Sequence, residues 1–166
     1  MTENTDIHVR TAQPDDEEGI MYLANLVNNE NGVFKMNDEK VRAVVKPSLY
    51  LYGGIVGVIG PKDKLEGVVV LRISKYWYSD VSFLEEMCVF VHPDYRAAKG
   101  GRARKLVEFA KKVSEELKMP LMMGVLSNSR TSAKTKLYER QFGPPAGAYF
   151  LYGIKTGTVP QQEVVS

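Results

Sequence analysis

One stretch of the sequence decides the fold: MCVFVHPDYRAAKGGRARKL, which occupies residues 87–106. It reads as an apolar strand that runs into a short basic loop and then directly into a helix. The start of a helix leaves several backbone N–H groups without intrahelical partners, and these groups point at one place. Gly100 and Gly101 carry no side chain that would block close approach. The stretch therefore predicts a phosphate-binding site at the start of this helix.

The sequence on either side predicts a mixture of strands and helices. Between residues 50 and 91 apolar residues recur with period two, and turn-forming residues at 60–63 and 78–80 interrupt them, which predicts three antiparallel strands joined by hairpins. The predicted elements are, in order, a strand at 7–11, a helix ending at Asn31, a helix from Asn37 or Asp38 to Pro47, strands at 50–59, 65–77 and 82–91, a helix at 101–118, a strand at 121–126, a helix at 131–142 and a strand at 148–154. We expect one α/β domain over residues 1–156, followed by a polar C-terminal tail at 157–166.

The composition is that of a single compact domain in a reducing compartment. The chain has 166 residues, of which 44% are apolar and 25% charged. A single cysteine, Cys88, excludes an internal disulfide, and with only His8 and His92 beside it a zinc site is not expected. The first residues lack the pattern of a signal peptide, and the apolar runs are strand-sized. We expect a cytoplasmic protein with no metal and no membrane partner.

The net charge of +2 is unevenly distributed. Residues 1–39 carry nine acidic and two basic residues, a net charge of −7, so the remainder carries +9. This excess lies mostly at 96–112 and 130–140, which indicates an anionic partner. The sequence contains neither a P-loop nor a dinucleotide-binding G-x-G-x-x-G before a helix. Nucleic acid is a weaker candidate, because Phe109 is the only aromatic residue interleaved with the basic ones at 96–112.

Two segments resemble the GNAT N-acetyltransferase superfamily. Residues 89–96, followed by Gly101-Arg102-Ala103, resemble the family's acetyl-CoA-binding motif, and residues 137–143 resemble its later L-Y-e-k-x-G-F segment. The predicted order of strands and helices is similar to that of the family over nearly the whole chain. The loop departs from the pattern: Ala98 stands where Arg or Gln is usual, and Arg96 lies two residues early.

The resemblance implies a fold, a cosubstrate and a set of binding residues. The implied fold is a mixed α/β architecture with a mostly antiparallel central sheet of six to seven strands flanked by helices. The cosubstrate is acetyl-CoA, with no metal, and a homodimer is compatible with the family. The residues that the resemblance assigns to cofactor binding are Val89, Phe90, Val91, Arg96, Ala98, Lys99, Gly100, Gly101, Arg102, Ala103 and Asn128.

Catalysis of acyl transfer to an amine needs a route for the amine proton. The base is needed near the end of the predicted strand at 82–91, and Glu85 and Glu86 are the candidates. They point to opposite faces, and we favour Glu86. Tyr138 matches the position of the family's general acid; because a phenol with a pKa of about 10 is a weaker acid than a thiol at about 8.5, its main part is to stabilise the departing thiolate. Packing or surface roles are the alternatives for all three residues.

The implied reaction is direct acetyl transfer from acetyl-CoA to a primary amine in a ternary complex, the amine belonging to a small molecule or a protein. Phe34, Tyr76 and Tyr149 are the candidate acceptor-binding residues, because aromatic side chains there could form a wall of the substrate site. The alternative is a non-catalytic module that binds CoA or acyl-CoA as a sensor or interaction domain.

Overall fold

The described residues form one sheet with helices on both faces. The computed structural model describes residues 7–96 and 100–156. Its elements are, in chain order, β1 (Arg10–Thr11), α1 (Glu17–Asn31), α2 (Asp38–Leu49), β2 (Gly54–Ile59), β3 (Gly67–Lys75), β4 (Ser82–Val91), α3 (Arg102–Leu117), β5 (Leu121–Met122) and α4 (Thr131–Phe142). The strand order is β1-β2-β3-β4-β5; the first four strands are antiparallel, and β5 is parallel to β4. The expected α/β class and mostly antiparallel sheet are confirmed.

The central strand, β3, separates two hydrophobic cores. Its first five residues are all buried, as expected for a strand that is covered on both faces. Because side chains alternate along a strand, Val68 packs with Leu23 of α1, whereas Val69 packs with Leu106 of α3. Helices α1 and α2 therefore cover one face of the sheet, and α3 covers the other.

Strand β4 contains a β-bulge in its middle. Val70 pairs with Cys88 and Leu71 pairs with Glu86, so Met87 is an additional residue with no partner in β3. A bulge of this kind bends the strand and changes which face the following side chains point to. It lies immediately after the two glutamates that the sequence offered as bases.

Strands β4 and β5 pair over a short distance and then separate. The paired residues are Leu84 with Leu121 and Glu85 with Met122, and the Leu84 N–H donates to the Pro120 carbonyl at 2.8 Å. Beyond Glu85, β5 no longer pairs with β4, although β4 continues to Val91. Among the described residues, this leaves an unpaired edge along the second half of β4.

The predicted last strand is wrong, and four others were predicted too long, namely 7–11, 50–59, 65–77 and 121–126. Residues 148–154 form no strand, and Phe150 and Tyr152 are almost fully exposed. A strand forms where a neighbouring edge offers backbone partners, and β5 offers only two residues instead of the predicted 121–126. Strand β1 is also shorter, Arg10–Thr11 instead of 7–11. Because 148–154 forms no strand, the described residues contain five strands, not six to seven.

The helices agree more closely with the sequence pattern. Helix α2 begins after Asn37, whose side-chain oxygen accepts the Lys40 N–H at 3.1 Å, as expected of a helix cap. It continues through Pro47 to Leu49, two residues beyond the proline at which we expected it to end, because Pro47 falls in the last turn, where its missing N–H removes only one hydrogen bond. Among the described residues, no helix has the length and apolar character needed to cross a membrane.

Candidate active site

Two adjoining clefts lie over the unpaired edge of β4. The first, which we call the arginine cleft, has a volume of about 250 Å³ and lies between β4, the start of α3 and α4. The second, the glutamate cleft, has a volume of about 380 Å³ and lies between the end of α1, the middle of β4, the segment after β5 and α4. Five residues line both clefts: Val27, Asn31, Val89, Lys134 and Tyr138.

The start of α3 opens into the arginine cleft. Gly101 precedes the helix with a φ of +57°, and Gly100 has a φ of +114°, conformations that side chains other than glycine rarely adopt. A Cβ at Gly100 would lie 2.1 Å from the Ile7 Cδ1 atom, so a side chain at this position would displace the end of the Ile7 side chain. The first turn of α3 contains no acidic residue, and its backbone N–H groups lack intrahelical acceptors. The local geometry suits an anion.

The charge of the arginine cleft agrees with that geometry. Its described lining contains four basic residues, Arg96, Arg102, Arg130 and Lys134, and no acidic residue. Two of the arginines are held by neighbouring carboxylates: Arg96 contacts Glu30, and an Arg102 nitrogen lies 2.6 Å from a Glu66 oxygen. Pairing fixes their positions and leaves the positive charge of the cleft in excess.

Along the unpaired edge of β4, the backbone groups of Val89 and Val91 point away from β3. The His92 N–H donates to the Glu66 carbonyl at 2.9 Å, and in an antiparallel pair successive residues alternate between the two edges of a strand. Val91 and Val89 therefore direct their backbone groups toward the clefts, and the Val91 carbonyl accepts the Arg96 Nε–H at 3.1 Å. No strand among the described residues pairs with Val89 on this edge.

The two glutamates have different surroundings. Glu86 lines the glutamate cleft at the point where β4 and β5 separate, and its Oε2 accepts the Gly124 N–H at 3.2 Å. Burial raises the pKa of Glu86 to about 7, although the Gly124 hydrogen bond and the charge of Lys134 act in the opposite direction. Glu85 instead accepts the Ser74 hydroxyl at 2.5 Å and lies outside the residues that line either cleft.

Helix α4 contributes Tyr138 and Lys134, which are four residues apart and therefore on one face of the helix. Burial raises the pKa of the Tyr138 phenol above its ordinary value, and the charge of Glu86 adds to this, so the phenol remains protonated. Burial lowers the pKa of Lys134. Among the described residues, no carboxylate lies within 4.0 Å of the Lys134 ammonium.

Cys88 of β4 also lines the glutamate cleft. Burial raises the pKa of its thiol to about 12.

The end of α1 fixes the segment that leads into α4. The buried Asn31 side chain donates to the Ser127 hydroxyl at 2.6 Å and accepts the Ser129 N–H at 2.8 Å. The Asn128 N–H donates to the Asn31 carbonyl at 3.0 Å, and Asn128 is itself buried. Asn128 is therefore placed beneath the start of α4 and outside the lining of both clefts. Its predicted contact with the cofactor stays a prediction.

The structure brings most of the other predicted site residues together. Phe34 and Tyr149 line the glutamate cleft, but Tyr76 lies at the β3–β4 turn, where its ring packs on Tyr78 at 5.0 Å. Ala98 and Lys99 lie outside the described residues. The predicted cofactor residues that line one or both clefts are Val89, Phe90, Val91, Arg96, Gly101, Arg102 and Ala103. Gly100 lies directly before Gly101 and is not among the residues that line either cleft.

Sequence reasoning did not identify Lys134, Arg130 and Asn31. The only signal for the two basic residues was the charge excess at 130–140, which does not show which members of the segment face inward. From the sequence alone, Asn31 is only a residue at the end of the first helix. Its contacts with Ser127 and Ser129 join segments about a hundred residues apart and have no local sequence pattern.

No family model matches the sequence, and a search of curated proteins finds no match. Solved structures do match. The aminoglycoside N-acetyltransferase AAC(6')-Iy, in complex with the bisubstrate analogue CoA-S-monomethyl-acetylneamine, is similar with a TM-score of 0.68 and 14% identity, covering 89% of this chain and 97% of that one. A ribosomal-protein-alanine N-acetyltransferase from Brucella melitensis has a TM-score of 0.62 and 15% identity over 90% and 98% of the two chains. A GNAT family acetyltransferase from Staphylococcus aureus has a TM-score of 0.56 and 12% identity over 88% and 98%.

The chain has the GNAT fold. This confirms the fold that the resemblance implied and accounts for the order of elements on both sides of the strand–loop–helix stretch. Within the GNAT fold, the arginine cleft, the unpaired edge of β4 and the Tyr138 face of α4 lie around one opening.

Proposed function

We propose that the protein is an N-acetyltransferase that transfers the acetyl group of acetyl-CoA directly to a primary amine in a ternary complex. The observation that carries this proposal is the junction between the clefts, where Lys134 and Tyr138 line both an anion-binding cleft and the cleft that contains Glu86. The similar structures support it, since one is a complex with a bisubstrate analogue of CoA and another is named as an alanine N-acetyltransferase.

The arginine cleft fits the phosphate groups of coenzyme A. A pyrophosphate suits the backbone N–H groups at the start of α3, and the surrounding guanidinium groups favour several negative charges. The side-chain-free surface at Gly100 and Gly101 allows close approach of the phosphates. Acetyl-CoA would supply the activated acetyl thioester; the chain supplies the binding groups and the proton transfers described next.

The unpaired edge of β4 fits the extended arm of the same ligand. Val89 offers a backbone N–H and a carbonyl that no neighbouring strand of the described residues uses, so an amide-containing chain can pair with them as an added strand. A backbone N–H on this edge can also donate to a thioester carbonyl oxygen. Such a donor stabilises the negative charge that develops on that oxygen during attack by an amine.

Glu86 and Tyr138 are the residues that we assign to proton transfer. With a pKa near 7, Glu86 can accept a proton from an ammonium group, directly or through one water, and release it to solvent at neutral pH. Tyr138, which burial keeps protonated, donates a hydrogen bond to the thiolate that leaves. The same carboxylate at an ordinary pKa would be a weaker base.

The test is an acetyl-transfer assay with the full chain. We expect release of thiol that depends on both acetyl-CoA and an added amine, with a product that is 42 Da heavier than the amine by mass spectrometry. Binding of acetyl-CoA without transfer to any amine would instead support the non-catalytic sensor. Absence of binding would overturn both functions.

A further inference from the structure

We infer that the acceptor is a small dipolar amine, that is, an amino acid whose carboxylate binds Lys134 while its amino group faces Glu86 and its apolar side chain contacts Phe34 and Tyr149. This inference rests on the proposed acetyltransferase function and narrows its acceptor. The observations that carry it are the unpaired lysine between the clefts, the charge balance of the glutamate cleft, and the apolar character of its mouth.

Lys134 lines both clefts but pairs with no carboxylate of the described chain. Lys134 is half-buried on α4, and no acidic oxygen of the described residues lies within 4.0 Å of its ammonium. The charge of Glu86 acts on Lys134 without forming an ion pair within 4.0 Å. Because a partly buried cation without an ion-pair partner is unfavourable, the position gains from an anion supplied by a ligand. Arg42, by contrast, contacts both Glu17 and Glu18.

The charges of the glutamate cleft suit a ligand with one positive and one negative group. Its described lining contains a single acidic residue, Glu86, and a single basic residue, Lys134. A polycationic acceptor would find one carboxylate there and would meet the charge of Lys134. An α-amino acid places its ammonium and carboxylate a few bonds apart, so it can satisfy both residues at once.

The mouth and size of the cleft favour an acceptor of amino-acid size with an apolar body. Phe34 is 52% exposed and Tyr149 is 76% exposed, and both line the glutamate cleft beside Leu126. Exposed aromatic rings at a cleft gain contact area when an apolar ligand covers them. The volume of about 380 Å³ lies at the low end of the range of roughly 300–1,000 Å³ that is typical of small-molecule sites.

The reaction balances for such an acceptor. The ammonium group loses a proton to Glu86, and the resulting amine nitrogen forms a bond to the thioester carbonyl carbon. The carbon–sulfur bond breaks, and the thiolate of CoA accepts a hydrogen bond from Tyr138 before it takes a proton from solvent. The nitrogen loses its second proton to solvent, so the products are an N-acetyl amino acid and CoA.

The test compares three acceptors that share one body: phenylalanine, phenylalanine methyl ester and phenethylamine. Because a hydrogen bond between charged groups contributes on the order of 10- to 100-fold, we expect kcat/KM for phenylalanine to exceed that for the two amines without a carboxylate by at least about tenfold. In the K134Q variant the ratio of kcat/KM for phenylalanine to that for the other two amines should fall to near one. The fall should come from a higher KM for phenylalanine. K134R should restore part of the preference for phenylalanine, and the matched control K136Q, at an exposed lysine on the same helix, should keep it.

Three outcomes would overturn the inference. Equal kcat/KM for phenylalanine and phenethylamine would show that no carboxylate is recognised. A K134Q variant that raises only the KM for acetyl-CoA would assign Lys134 to the cofactor. A clear preference for a polyamine such as spermidine would overturn the dipolar acceptor while leaving the acetyltransferase intact, whereas acetyl-CoA binding without transfer to any of these amines would remove the proposed function itself.

Discussion

The substitution Glu86→Gln separates the chemistry of the glutamate cleft from its architecture. Glutamine has nearly the same shape, and its amide oxygen can accept the Gly124 N–H, which lies 3.2 Å from the carboxylate. Only the proton-accepting group is lost. Because a positioned general base contributes roughly 100- to 10,000-fold, we expect kcat/KM to fall by at least about 100-fold while the Kd for acetyl-CoA stays within about twofold.

The same variant has an expected effect on stability that depends on pH. Burial raises the pKa of Glu86 from 4.5 to about 7, so the folded state disfavours the charged form. A raised carboxyl pKa supports folding below pH 4.5, and this support is lost as the pH rises through 7. The change in pKa corresponds to about 3 kcal/mol. Partial exposure roughly halves it, so relative to the wild type the variant should gain roughly 1.5 kcal/mol, or about 3–6 °C in Tm, between about pH 5 and pH 8.

Two assays check these expectations. Thiol release between about pH 5.5 and pH 9 should show a wild-type kcat/KM that rises with an inflection near 7, which the variant lacks. Thermal unfolding of the variant and the wild type at about pH 5 and at about pH 8 measures the difference between their Tm values. A variant that keeps more than about a tenth of the wild-type kcat/KM would refute Glu86 as the base, and Tm values that change in parallel with pH would refute its burial as the cause of the raised pKa.

Three further substitutions test other parts of the structure. Tyr138→Phe should lower kcat by roughly 10- to 100-fold with an unchanged Kd for acetyl-CoA, and an unchanged kcat would remove Tyr138 from the reaction. Gly101→Ala places a side chain at a φ of +57°, which should lower stability by about 1 kcal/mol and weaken acetyl-CoA binding. The control Gly53→Ala, at a φ of +70° in open space, should lower stability by a similar amount and leave binding intact. Equal binding by both variants would contradict the role of the α3 start. Asp16→Asn removes the buried partner of Arg10, whose two nitrogens each lie 2.8 Å from its carboxylate, and should lower stability by about 2 kcal/mol at pH 7 because Arg10 is partly exposed. The pKa of Asp16 is lowered mainly by the Arg10 hydrogen bond, so the wild-type advantage should shrink as the pH falls from 3.8 through this lowered pKa. An advantage that does not shrink over this range would contradict the origin.

The parts of the fold that could be predicted are those with strong local patterns. The period-two pattern from 50 to 91 predicted β2, β3 and β4 and their antiparallel order, and the apolar face of α3 predicted its length closely. The glycine pair predicted a helix start without blocking side chains, and the structure places both glycines directly before α3. Each of these features depends on residues close together in sequence.

The parts that could not be predicted depend on contacts between distant segments. The segment 148–154 has the composition of a strand, but a strand needs a partner edge, and the length of β5 is set by how far it follows β4. The bulge at Met87 arises from the pairing of β4 with β3 and leaves no signal in either strand alone. The position of Lys134 depends on the anchoring of α4 by Asn31, which the charge pattern does not contain.

The central claim is that the clefts bind acetyl-CoA, and thermal unfolding of the full chain with and without this ligand tests it most directly. Acetyl-CoA at about 100 times its Kd should stabilise the fold by about 2.7 kcal/mol, which for a chain of this size is a rise in Tm of roughly 5–10 °C. ATP at the same concentration carries comparable charge and should produce a clearly smaller rise. An unchanged Tm with millimolar acetyl-CoA, or an equal rise with ATP, would contradict the account.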